Sequence, residues 1–391
     1  MKSSSKNFSI LICLETVIAC SLAVLQTVGN SGLISLMFAG SFLLVFAYIF
    51  LNYKRISIHI DVIFLIVLCF FNIIFGAVLE NGTISFNYLK KAIMFLIFIV
   101  LLNFVANESF NLTKVEYYLI SVLPIIVGVY MLVSYYLLGN KVALNEIAIT
   151  LGFENPNFTG MWLFHLLLYG ILFIIGTFKK NKLCVLITPF LVMLCILLWK
   201  TETRSCIIGL VFFFALLLIG IFRKKWNKLF LIFIAVFPLL YAIIYMNIIN
   251  ADFIQEKFAF MVSEGKSLTS RVKIWQYAFD YFKQHPIIGS YYGISGGKGM
   301  SQMHNTHVDV LTSYGILPFV LFVNNLYSNM KSINQQIMSY YQYACFSAFC
   351  SVVIVGSFEA AVVAGSMGLN LLTLGLLALL TYKSNEYSVS I

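Results

Sequence analysis

The chain has 391 residues, of which 61% are hydrophobic and 10% charged. Globular proteins average roughly 45–50% apolar and about 25% charged residues, so a soluble domain of this length could not enclose the excess. The formal net charge of +10 resides in lysines and arginines at the ends of apolar stretches. That placement excludes a nucleic-acid-binding patch and fits the flanks of membrane spans.

Apolar stretches of about 20 residues recur along the chain and predict an all-α polytopic membrane protein with about twelve transmembrane helices. They lie near 8–28, 32–52, 60–79, 88–106, 116–138, 158–177, 183–199, 206–222, 229–249, 308–327, 339–358 and 365–382. The first opens with Lys2 and Lys6 but shows no small-x-small cleavage site, and it reads as a retained span. With the N-terminus in the cytoplasm, fourteen lysines and arginines fall inside and five in short outer segments. This bias puts the long 250–309 segment, between the ninth and tenth spans, outside the cytoplasm. The eight cysteines lie in or beside apolar stretches without Cys-x-x-Cys spacing, so no disulfide framework and no structural metal is expected. Residues 1–391 read as a single integral membrane domain.

The chemistry gathers in the 250–309 loop, which holds eleven charged residues, His285, His304 and His307, and glycines 289, 293, 296, 297 and 299. Within it, Ser270 can cap an amphipathic helix over 271–284, with Ile274, Ala278, Tyr281 and Phe282 on one face, and Pro286 ends it. Arg271 stands in the first turn of that helix, where backbone N–H groups and a guanidinium together suit a diphosphate. Lys273 is a lesser cation beside it. Arg204, in Thr203-Arg204-Ser205, opens a span at the outer mouth, where an arginine facing lipid would be expensive; the bland alternative is snorkelling to the interface. His304 and His307 stand at i, i+3 and could share a metal, but no third ligand is evident, and His307 reads as an ordinary hydrogen-bonded residue. Asn157, in the outer turn Asn155-Pro156-Asn157, and Glu359, near the end of the eleventh span, are further candidates for lining a sugar site; Glu359 could instead pair with an arginine.

Three segments together resemble the O-antigen ligase and Wzy-type polymerase superfamily. They are Thr203-Arg204-Ser205 with Gly209, then Arg271-x-x-x-Trp275 followed by Pro286-Ile-Ile-Gly289, then His304-Asn305 with Leu311 and Tyr314-Gly315. They cover residues 199–325. The departure is at Thr201-Glu202-Thr203 and Cys206, where smaller residues are more usual. The resemblance implies a GT-C-like membrane glycosyltransferase of the bacterial inner membrane, with its active site facing the periplasm. Its substrates would be oligosaccharides carried on undecaprenyl diphosphate, serving as both donor and acceptor, and a chain-length regulator protein is a conceivable partner. The expected reaction joins repeat units into O-antigen or capsular polysaccharide by inverting transfer, needing no metal or cofactor. Arg204 and Arg271 would stabilise the leaving diphosphate, His304 would receive the acceptor proton, and Asn305 would position His304 or the acceptor. Transfer of finished glycan to lipid A–core by a ligase is the alternative, and a lipid-linked oligosaccharide transporter a more distant one.

Overall fold

In lipid a backbone must satisfy its own hydrogen bonds, and the apolar stretches accordingly fold as helices. The computed structural model describes residues 2–54, 58–80, 86–107, 110–137, 143–144, 148–153, 155–178, 181–223, 225–249, 269–287, 289, 303–359 and 366–382. Most of the 250–309 loop, with glycines 293, 296, 297 and 299, lies outside these residues. Along the chain run α1 (Lys2–Val28), α2 (Ser31–Asn52), α3 (Ile60–Glu80), α4 (Phe86–Asn107) and α5 (Lys114–Tyr136). Then come α6 (Pro156–Thr177), α7 (Thr188–Lys200), α8 (Arg204–Phe222) and α9 (Lys228–Ile249). The amphipathic α10 (Thr269–Gln284) leads to α11 (Thr306–Tyr314), α12 (Ile316–Gln336), α13 (Tyr340–Val355) and α14 (Met367–Ala378). Among the described residues, seven helices are long and apolar enough to cross a membrane: α1, α2, α4, α5, α6, α8 and α9. Shorter apolar helices occupy Ile60–Ile74, Cys184–Lys200, Tyr340–Val355 and Met367–Thr381. The chain is a polytopic helical membrane protein.

Local sequence sets the helix starts. Thr113 with Glu116 forms a capping box for α5, Ser339 with Gln342 another for α13, and Asn155 caps α6 with Pro156 in its first turn. The centre is formed by α6, α13 and α14, the last two buried along nearly their whole length. Other helices enclose 72% of the apolar window of α6 but only 17% of that of α2, so α2 faces lipid. Two small differences from the sequence reading are instructive. The loop between α5 and α6 contains a two-residue antiparallel ladder, Ala143–Leu144 against Ala148–Ile149, too short to leave a sequence signal.

The stretch expected as one span near 308–327 is instead two helices, α11 and α12, broken at Gly315. Gly315 has φ +85° and Gly289 φ +73°, and a Cβ on either would collide with the backbone of the other's segment. The Ile316 N–H donates to Pro286 O at 2.9 Å, locking the junction. The Pro-Ile-Ile-Gly turn and the Tyr-Gly pair are thus two halves of one backbone crossing. Beyond it α12 carries a polar seam, in which Asn329 donates to Asn325 Oδ1 (2.9 Å) and accepts from Asn107 of α4 (3.1 Å). Side-chain amides that bond across helices are tolerated in lipid, where isolated ones are not.

Candidate functional site

Trp275 and Arg271 lie one helical turn apart on α10, so they share a face. Val272, Trp275 and Ala278 are buried, the last two packed with Ala242 of α9 and with Met303. The Trp275 indole N–H donates to Met303 O at 2.7 Å, and its ring meets the edges of Tyr241 and Tyr245 on α9. This anchor fixes the helix, and the first turn of α10 then carries Arg271 to Glu359. Arg271 Nη2 lies 2.9 Å from Glu359 Oε1. The arginine side chain keeps 30% of its exposure, while the glutamate keeps 2%.

The second oxygen of the same carboxylate is 2.8 Å from His304 Nδ1. A carboxylate only accepts, so the imidazole Nδ1 carries the hydrogen, and in the neutral ring Nε2 holds the lone pair. His304 has φ +48°, a left-handed conformation that costs a non-glycine residue about 1–2 kcal/mol. What holds it is the next residue. Asn305 is fully enclosed and caps α11, its Oδ1 accepting from His307 N and Val308 N, both at 3.0 Å. Its Nδ2 donates to Pro238 O (2.7 Å) and Ser357 O (3.0 Å). One amide thereby joins α11, the proline-bent part of α9, and the turn after α13 that ends in Glu359. A further bond, Thr306 N–H to Gly356 O at 2.8 Å, closes the same junction.

His307 is buried, with Nε2 2.6 Å from Ala235 O. His304 and His307 are therefore engaged with different partners. Lys273 and His285 are exposed on or just after α10.

Arg204 opens α8, which packs antiparallel on α13. Added methyl groups at Gly209 and Gly220 would run into Val355 and Tyr343 respectively, and continuing that register brings the first turn of α8 level with Glu359. The Arg204 side chain itself is exposed at this level. Thr203 Oγ1 donates to Pro156 O at 3.0 Å and sits against Gly160, tying the start of α8 to the start of α6. Asn157, half-buried, is the residue after that tether.

The chain folds Arg271, His304 and Glu359 into one bonded cluster, places Asn305 directly beneath it, and brings the α8 and α6 starts alongside. Residues 189–323 match the family model Wzy_C, described as O-antigen ligase. The likeness covers about a third of the chain. No curated protein and no solved structure matches the chain. The O-antigen ligase match contains Arg204, Arg271, His304 and Asn305, while Asn157 and Glu359 lie outside it. The sequence reading set Glu359 beside a sugar or an arginine, and its simultaneous hold on Arg271 and His304 was not legible. Nor were Tyr241 and Tyr245, whose signal is an aromatic residue at every fourth position of α9.

Proposed function

We propose that the protein is a Wzy-type polysaccharide polymerase of the bacterial inner membrane. On this reading it spans the bilayer about twelve times and works on the periplasmic side. It joins oligosaccharide repeat units, each carried on undecaprenyl diphosphate. The observation that carries the proposal is the pair of contacts on Glu359, 2.9 Å from Arg271 and 2.8 Å from His304. One buried carboxylate sets a cation and a base at fixed positions on the rim of a membrane domain.

The chemistry follows from that arrangement. Glu359 holds the Nδ1–H of His304, so Nε2 takes the proton from an acceptor sugar hydroxyl. The hydroxyl oxygen attacks the anomeric carbon of the donor from the face opposite the leaving group. The anomeric C–O bond to phosphorus-bound oxygen breaks, the electron pair leaves with undecaprenyl diphosphate, and the centre inverts. Arg271 and Arg204, with Lys273 nearby, stabilise the charge that builds on the diphosphate, a task fixed guanidinium groups perform without reorganising. Asn305 acts as a positioning residue through His304 and the Glu359 turn. Asn157, at the start of α6, lines the acceptor side.

The likeness of residues 189–323 to O-antigen ligase favours a second reading in which the acceptor is lipid A–core. Purified protein in liposomes, given the undecaprenyl-diphosphate repeat unit with and without lipid A–core, separates the two. Longer lipid-linked chains support the polymerase, and glycan on the lipid A–core anchor supports the ligase. Passage of intact substrate across the bilayer with no new glycosidic bond would replace both by a transporter.

A further inference from the structure

Helix α9 carries an aromatic residue at every fourth position: Phe233, Phe237, Tyr241 and Tyr245. Their rings form an unbroken row, with centroids 5.1, 6.2 and 5.6 Å apart in turn. The inward face of the helix is a different one, made by Leu231, Ile234, Ala235 and Ala242. The row therefore runs along the border of a helix whose apolar window is only 28% enclosed, and Phe233 at its far end is 43% exposed. Its upper end enters the cluster described above. Tyr241 meets Phe358, the neighbour of Glu359, at 4.6 Å, and both tyrosines meet Trp275, one turn from Arg271. From Tyr241 down to Phe233 is about 12 Å of helix.

We propose that this row is the seat of the polyprenyl chain of the donor, laid along α9 with its diphosphate at Arg271. The inference rests on the lipid-diphosphate reading and names the residues that hold the lipid rather than the head group. A row of rings starting at a cation and descending into the bilayer fits an amphiphile with an anionic head and a long apolar tail. The flat, methyl-branched alkene units of a polyprenyl chain offer planar faces to the rings, which a saturated acyl chain does not. The guanidinium supplies the charge complement at one end only.

The test uses the full-length protein in liposomes and a polyprenyl diphosphate, without sugar, that bears a photoreactive diazirine on its chain. Labelled peptides should map to α9 around Phe233 and Phe237, and unlabelled polyprenyl diphosphate should compete while phosphatidylglycerol does not. Labelling on other helices, or equal competition by phosphatidylglycerol, overturns the proposal. In transfer assays F233L and F237L should each raise KM for a long-chain donor about two- to tenfold with kcat kept. The same variants should match the parent with a geranyl-length donor, and I243L, exposed on the side of α9 away from the row, should change neither constant. Equal KM changes for long and short donors would contradict the row's role. If the parent transfers nothing from any donor, the transferase reading fails by itself, and the labelling pattern still decides where the lipid lies.

Discussion

Arg271 and Glu359, 88 residues apart in sequence, meet at 2.9 Å, and the same carboxylate holds His304 at 2.8 Å. Glu359 is almost wholly enclosed, so it depends on both donors, and they depend on it for their orientation. Replacing it by Gln keeps the shape and removes the charge. The amide can no longer accept from both partners as a carboxylate does. E359Q should lower kcat by about 10²-fold or more, with a smaller change in KM, because orientation of the base and the cation is lost together. Steady-state glycosyl transfer in liposomes measures this, and an unaltered kcat would remove Glu359 from the mechanism.

The arginine predictions separate charge from geometry. R271A should cost about 10²–10³ in rate, the usual loss when a fixed donor to developing charge is removed. R271K keeps the charge but cannot offer the planar fork, and it should recover only part of the rate. Full recovery by lysine would mean that Arg271 acts as a simple counter-ion to Glu359.

Trp275 holds α10 in place, with its ring enclosed and its indole bonded to Met303 O. W275A should release the helix, since truncating a buried tryptophan costs about 3–5 kcal/mol. Faster proteolytic cleavage beside α10, at unchanged membrane insertion, is the expected readout. W275F should sit between the two, because it keeps most of the packing and leaves the Met303 carbonyl without its donor.

Much of this architecture was readable from the residues alone. Runs of apolar side chains about 20 long gave the membrane helices because each run buries a whole helix surface or presents it to lipid, and the helix expected over 271–284 from Ser270 and Pro286 lies within α10, Thr269–Gln284. The break at Gly315 was missed for a physical reason. Apolar residues continue on both sides of it, and only the approach of the Gly289 turn, 26 positions earlier in the chain, makes a left-handed glycine necessary there. Arg271, His304 and Asn305 stood out as polar groups in an unusual place. Their common partner did not, because Glu359 lies beyond two further helices and nothing local in Ser357-Phe358-Glu359 indicates where its carboxylate points. Asn305 read as a residue that positions His304 or the acceptor. Its four bonds within the protein align α9, α11 and the Glu359 turn, which local sequence does not show.

The most direct test is a single-turnover transfer assay on liposomes holding the parent, R271A, H304A or E359Q, with a purified undecaprenyl-diphosphate oligosaccharide and its acceptor. The parent should form a new glycosidic bond and release undecaprenyl diphosphate, and H304A should be slower by about 10²–10⁴, with the other two variants also strongly impaired. Full transfer rates in R271A, H304A and E359Q alike would contradict the account.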